Sequence, residues 1–397
     1  MGQRRAVRVV ASLVVVAATA ASAAVLTAAP AGAASTVKGI SAKDAKAAAE
    51  TYADVVYASY DDSVKSATTM KAAITAFLAN PNDATLAAAK QAWLTARNDY
   101  LPTEAFRFYD GPIDNPKNGP EGRINAWPMD EAYVDYVTGS PNGGIINNTA
   151  KYPTITTQVL TETNEAGGEK NISTGWHAIE FLLWGQDNNP AGAGARPVTD
   201  YTTGANAQRR AEYLRLSTDL LIADLTSVRD QWAPDGGAYR KKFVANPKQA
   251  ITNALRGMGA LSAGELAGER MSVAYETKDQ EDEHSCFSDN TNADVVGDLV
   301  GIRRVYLADH PAVQGGTSIS ALVAKVNPQL DAKLRSQLDQ SLALARAFPM
   351  PFEQMIQGSD TAPGRVAMMN TINAVEDQGD SIAQVAKQFQ VKITLEV

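Results

Sequence analysis

The stretch DAKAAAETYADVVYAS, residues 44–59, sets the fold class. Ala45, Ala48, Tyr52, Val55 and Ser59 fall three or four residues apart, which lines them along one face of an α-helix. Alanine has the best intrinsic helix propensity, and a second Ala-rich stretch, 83–97, reads the same way. Leu214, Leu221, Leu225, Val228 and Trp232 repeat the spacing. Further helical patterns run near 206–230, 263–277, 318–346 and 365–389. Strand-like alternation is confined to the tail, at Val391, Ile393, Leu395 and Val397, where one short strand is expected. Gly, Pro and Asn mark loops at 110–128, 138–147, 187–199, 233–237 and 309–317. The expectation is an all-α protein. A boundary at 187–199 divides it into an N-terminal helical half, 41–190, and a C-terminal helical half, 200–390. Each half carries one functional-looking histidine, His177 or His284, downstream of an acidic helix, a hint of an old duplication.

Ahead of the helices, Arg4, Arg5 and Arg8 precede an apolar run from Val9 to about Leu26, and Ala31-Gly32-Ala33 supplies small residues at cleavage spacing. This reads as a secretory signal peptide over 1–33. The protein is therefore expected to be exported, to a periplasm, a cell surface or the medium. No later apolar run is long enough to cross a membrane. Cys286 is the one cysteine, which rules out an internal disulfide and favours a buried thiol. The formal net charge is −8, and loss of the signal removes three arginines and no acid. So acidic a chain cannot replace phosphate counterions, which argues against nucleic acid as a partner. Cations are the compatible ligands.

The chemistry concentrates in GWHAIEFLLWG, residues 175–185. His177 and Glu180 are three apart, so on a helix they share a face and can aim at one point. An imidazole and a carboxylate suit a divalent or trivalent metal. Helix-bundle iron proteins use the pair in the reverse order. The plainer reading is a structural histidine hydrogen-bonded to Glu180. Ser173 or Thr174 can cap this helix. A zinc peptidase of the His-x-x-Glu-His kind needs a second histidine where Phe181 stands.

Trp93, Arg97, Tyr100, Glu104 and Arg107 form another stripe, partly buried by its aromatic members. Pro102 cannot donate to the helix ladder, and a fresh start there would turn Glu104 inward as a further carboxylate ligand. Asp130 offers another carboxylate, with an N-cap as its plainer role. In the second half, Ser262 and Glu265 make a capping-box pattern. Glu265, Glu269, Ser272 and Glu276 then follow at helical spacing. The run EDEHSCFSDNT, residues 281–291, holds Asp282, His284 and Asp289, either a mixed-ligand metal loop or an acidic surface turn with Thr291 capping the next helix. His310 has no expected role. No nucleophile elbow, phosphate loop or dinucleotide fingerprint stands out.

Gly175-Trp-His177-Ala-Ile-Glu180 resembles the Gly-x-His-x-x-Glu signature of the imelysin family, also classed as peptidase family M75. LPTEAFRFYDGPID at 101–114, INAWPMD at 124–130, the segment 171–187, ELAGERM at 265–271 and DEHSCFSDNT at 282–291 resemble its iron-regulated protein A branch, and together they cover most of the chain. The resemblance implies two bundle-like helical halves with the signature near a cleft between them. It also implies a link to iron acquisition. It carries metal ligation onto His177 and Glu180, and less directly onto Glu104 and Asp130. The resulting expectation is an exported metal-binding protein for iron uptake or handling. Iron is the favoured metal, with zinc the alternative. Glu269, Asp282, His284 and Asp289 make a second contribution, and an iron-transport permease or other envelope protein is the partner. A metallopeptidase with Glu180 as base is one alternative. A haem- or peptide-binding surface protein, with Met258 or His284 as axial ligand, is another.

Overall fold

The computed structural model describes residues 37–395; the expected signal peptide, 1–33, and Val397 lie outside them. Among the described residues, eight α-helices of ten residues or more carry the fold: α1 Ala42–Ala79, α2 Asp83–Tyr100, α3 Gly175–Trp184, α4 Ala207–Gln231, α5 Pro247–Gly259, α6 Thr291–Leu307, α7 Pro328–Arg346 and α8 Pro363–Phe389. Four of these starts carry a side-chain cap, at α1, α2, α5 and α7. Ser41 Oγ accepts from Asp44 N at 3.0 Å to open α1. Asn82 and Thr85 form a reciprocal capping box on α2. The expected 318–346 helix is two helices, because Asn327 caps a new start and Pro328 has no N–H to continue the old ladder.

The described residues, 37–395, form one compact unit with one hydrophobic core. α1 packs on α2 and α4, and α3 packs on α4 and α2. Helices from both sides of the 187–199 loop therefore share that core.

Three local expectations fail. The alternating tail makes no strand over 391–395; Ile393 and Leu395 instead cover Gly259, where an added Cβ would stand 2.6 Å from Leu395. The capping box at Ser262 starts no helix, because α5 runs on without a break into a π-helix over Ala260–Ser272. Ser262 Oγ is buried there and accepts from Gln378. In the π-helix residues five apart stack, so the expected Glu265-Glu269-Ser272-Glu276 stripe is broken. Glu265 pairs with Arg270, while Glu269 faces solvent.

Candidate functional site

α3 is buried along its whole length. Trp176, Phe181, Leu182, Leu183 and Trp184 have no polar face to keep wet, so the helix runs through the interior and carries His177 and Glu180 there. Gly175 makes this entry feasible. Its φ is +88°, and an added Cβ would lie 2.6 Å from the Ile124 carbonyl oxygen. The expected side-chain cap is not made. Thr174 Oγ1 donates to Arg123 O, and Ser173 Oγ donates to Leu160 O. The helix is held by its neighbours instead.

His177 and Glu180 meet each other. His177 Nδ1 is 2.9 Å from Glu180 Oε2, and Ser288 N and Oγ donate to Glu180 Oε1 at 2.9 and 2.6 Å. A second pair repeats the motif. His284 Nδ1 is 2.7 Å from Asp294 Oδ2, and the two imidazole centroids are 5.0 Å apart. Arg97 joins the pairs. Its Nη2 is 3.1 Å from Asp294 Oδ2, 3.4 Å from His177 Nε2 and 3.4 Å from His284 Nδ1, while Nη1 donates to Asn125. An arginine N–H facing His177 Nε2 favours the tautomer that places the proton on Nδ1. Ser285 Oγ and Asn290 Nδ2 also donate to Asp294, at 2.7 and 2.9 Å.

Protonation follows from this geometry. Burial pushes the Glu180 carboxyl up to about 8, against the pull of Ser288 and Arg97. Burial, then Arg97 and His284, keep His177 well below its usual value. Burial and the charge of Arg270 bring His284 down to about 4, although Asp294 opposes them. Burial also opposes ionisation of Asp294, but Arg97 and His284 outweigh it and hold that carboxyl far below the usual range. At neutral pH the two histidines are uncharged, and the charged pair is Arg97 with Asp294.

Glu104 is inward-facing, as Pro102 predicts: the chain turns into a short 3₁₀ segment at Leu101–Phe106 and Glu104 is fully buried. It joins a different network. Tyr100, Arg107 and Arg270 all donate to it, at 2.5, 2.6 and 2.6 Å. Asp130 is exposed and caps a short helix through Ala132 N at 3.0 Å. It makes no hydrogen bond or ion pair with either histidine. Asp282 is half-buried and accepts from Thr277 at 2.6 Å, and Asp289 is half-buried without a hydrogen bond or ion pair among the described residues. Thr291 is the first residue of α6 rather than its cap, and its hydroxyl accepts from Ser285 N. Cys286 is buried, as expected. Met258 is buried in the core of α5.

Sequence reasoning missed Arg97, Asp294 and Ser288 as site residues. Arg97 stood in the aromatic stripe, which was its one visible signal. Asp294 lies three residues after Thr291, at the start of α6, with no signal that set it apart.

A cleft of about 360 Å³ reaches His284, with Arg107, Glu121, Trp127, Glu265 and Arg270 in its wall. The Trp127 ring stands edge-on to His284, 5.6 Å between centroids. A larger hollow of about 560 Å³, lined by Lys38, Lys333 and Lys387, has no acid or imidazole in its wall. The smaller cleft is the one of the two with acids and an imidazole in its wall.

The donor set suits a transition metal: two buried imidazoles, each with Nδ1 held by a carboxylate, which is how metal-ligating histidines are oriented. No three Asp, Glu, His or Cys side chains form a ready-made metal group among the described residues. The Arg97 guanidinium stands between the rings and would compete with an entering cation.

The imelysin family model matches residues 56–382. The chain belongs to the imelysin family. It is 26% identical to iron-regulated protein A of Synechococcus elongatus over 339 residues, 83% of this chain and 82% of that one. Two crystal structures share the fold. One, provisionally assigned as an iron-regulated protein A precursor from Parabacteroides distasonis, matches with a TM-score of 0.69 at 20% identity, over 91% of this chain and 98% of the other. An imelysin-like protein from Psychrobacter arcticum matches at 0.61 and 15% identity, over 90% and 99%. The all-α architecture is thus that of imelysin-like proteins. No helix among the described residues of this imelysin-family chain is long and apolar enough to cross a membrane.

Proposed function

We propose that this imelysin-family protein is an exported metal-binding protein that takes iron as its cargo in iron uptake or handling. One observation carries the reading: two buried histidines with ring centroids 5.0 Å apart, each anchored through Nδ1 to a carboxylate. That anchoring fixes the ring and leaves Nε2 as the donor. His177 and His284 are the nitrogen ligands. Glu180 and Asp294 orient them and are the nearest carboxylates. Mixed nitrogen and oxygen donors suit iron, with zinc the alternative. Arg97 has to yield before a cation can reach both rings. Glu104 takes a supporting part by fixing Arg107 and Arg270 in the cleft wall, and Asp130 shapes the neighbouring loop. The likeness to an iron-regulated protein supports the choice of metal, and the precursor status of one structural neighbour supports export. An envelope permease remains the proposed recipient.

A peptidase would need Glu180 as base, but both its oxygens are engaged by Ser288 and His177. The test is elemental analysis of iron-loaded protein beside His177→Ala and His284→Ala, with circular dichroism confirming that each is folded. Each variant should hold about tenfold less iron at limiting metal. Iron content equal to the parent in both would overturn the reading.

A further inference from the structure

Two buried donors in the wall of the His284 cleft meet no acceptor among the described residues. Asn125 is 3% exposed and ends the short helix Glu121–Ile124. Its Oδ1 accepts from Arg97 Nη1, which settles the orientation of the amide, and its Nδ2 is unpartnered. Arg107 stands one turn away. Asn125 N donates to Glu121 O at 2.9 Å, and Glu121 Oε1 is 3.0 Å from Arg107 Nη2. Arg107 Nη1 donates to Glu104, while its buried Nε is unpartnered. Both residues line the cleft beside His284. Asp294 holds Nδ1 of that imidazole, and its Nε2 makes no hydrogen bond among the described residues.

The acids of the wall do not serve these donors. Glu121 pairs with Arg107 and Glu265 with Arg270, at 3.0 and 2.8 Å, and Glu165 and Glu169 are exposed. Buried donors without acceptors are rare, because their lost hydration is not replaced. The imidazole pair has the converse shortage. It offers a metal two ring nitrogens, and no three Asp, Glu, His or Cys side chains among the described residues form a metal group. Iron takes further oxygen ligands, and the Arg97 charge opposes a bare cation there.

Given the reading that His177 and His284 bind iron, we infer that Asn125 and Arg107 hold a small oxyanion, a carbonate or a carboxylate, that binds together with the metal. Its oxygens accept from Asn125 Nδ2 and Arg107 Nε and supply the oxygen ligands that the chain lacks, and its charge offsets Arg97. A water molecule would satisfy the two donors but not the charge. The carboxylates already paired with Arg107 and Arg270 leave the cleft little net positive charge, so the anion binds weakly alone. Metal and anion therefore bind together, each raising the affinity of the other by the same factor.

The experiment titrates ferrous chloride, without oxygen, into the metal-free full chain in bicarbonate-free buffer, alone and with millimolar sodium bicarbonate, sodium acetate or sodium chloride. Calorimetry reads the affinity. Bicarbonate or acetate should raise the iron affinity of the parent about tenfold, and whichever does so tells carbonate from carboxylate; chloride should not. Asn125→Leu should lose that response. Asn125→Asp brings a carboxylate of its own to Arg97, so it should bind iron tightly without either salt and gain nothing from them. It decides the matter if the leucine variant fails to fold. An affinity equal in every buffer, with His177→Ala still lowering it, overturns the anion and leaves the iron reading standing. A chloride effect of the same size, or a folded Asn125 variant that keeps the response, also overturns the anion. A parent that takes up no iron in any buffer overturns both.

Discussion

His177 with Glu180 and His284 with Asp294 are the same device built twice, and they rest in opposite charge states. Both pairs are buried and both join Nδ1 to a carboxylate oxygen. Asp294 has Arg97 at 3.1 Å and stays ionised. Glu180 has only Ser288 and the histidine as direct partners, and its carboxyl rises to about 8. Burial alone therefore does not decide the state of a carboxyl; the nearest cation does. A protein that places one arginine between two such pairs keeps one acid charged and the other near its titration point.

The strongest way to break this contrast is Arg97→Met. It strands the Asp294 charge in the interior, and loss of one partner of a buried pair costs about 3–5 kcal/mol. Urea unfolding should show that loss; a change within error would mean Asp294 is neutral. Next comes pH. The Glu180 carboxyl, ordinarily near 4.5, sits at about 8 in the fold, so the native state holds an extra proton between those values. Its contribution is full below about 4.5 and drains as pH rises toward 8, by a few kcal/mol at most. Asp294 has the opposite sign: its contribution is present above 3.8 and is lost as pH falls below. Unfolding of the metal-free protein between pH 7 and pH 9, above the range in which the unfolded histidines take up protons, should show the first limb, and Glu180→Gln should flatten it.

Gly175→Ala tests how His177 is delivered. The left-handed φ and the contact with Ile124 O together should cost about 1–3 kcal/mol. Iron binding should fall with it if the entry angle of α3 matters to the first pair. The smallest effect is expected at Asp130→Ala, which removes an exposed cap worth about 1 kcal/mol and should leave both pairs as they are. A large loss of iron in that variant would return Asp130 to the ligand set.

The helices could be read from spacing because that signal is local, as at Ala45, Ala48, Tyr52, Val55 and Ser59. The break at Pro328 is equally local, yet the same spacing runs on across it, so one helix was expected over 318–346 where there are two. Glu104 was legible for the same reason, since Pro102 ends the ladder two residues before it. The pairing of His177 with Glu180 was also local, at i and i+3. The rest of the site was not. Arg97 reaches His177, His284 and Asp294 across 80, 187 and 197 residues of chain, and spacing carries no trace of such contacts. The π-helix was misread because a count of four and three assumes the α repeat. The alternating tail misled because alternation describes a side-chain pattern without saying what lies opposite it; here a helix does.

Along the π-helix, chain length matters more than residue identity. Arg270 reaches Glu104, Glu265 and Asp298 from one rotational setting. Deleting a single residue between 260 and 269 would swing everything beyond by a large fraction of a turn and point that guanidinium elsewhere. Descendants of this gene should therefore accumulate substitutions here far more readily than insertions or deletions.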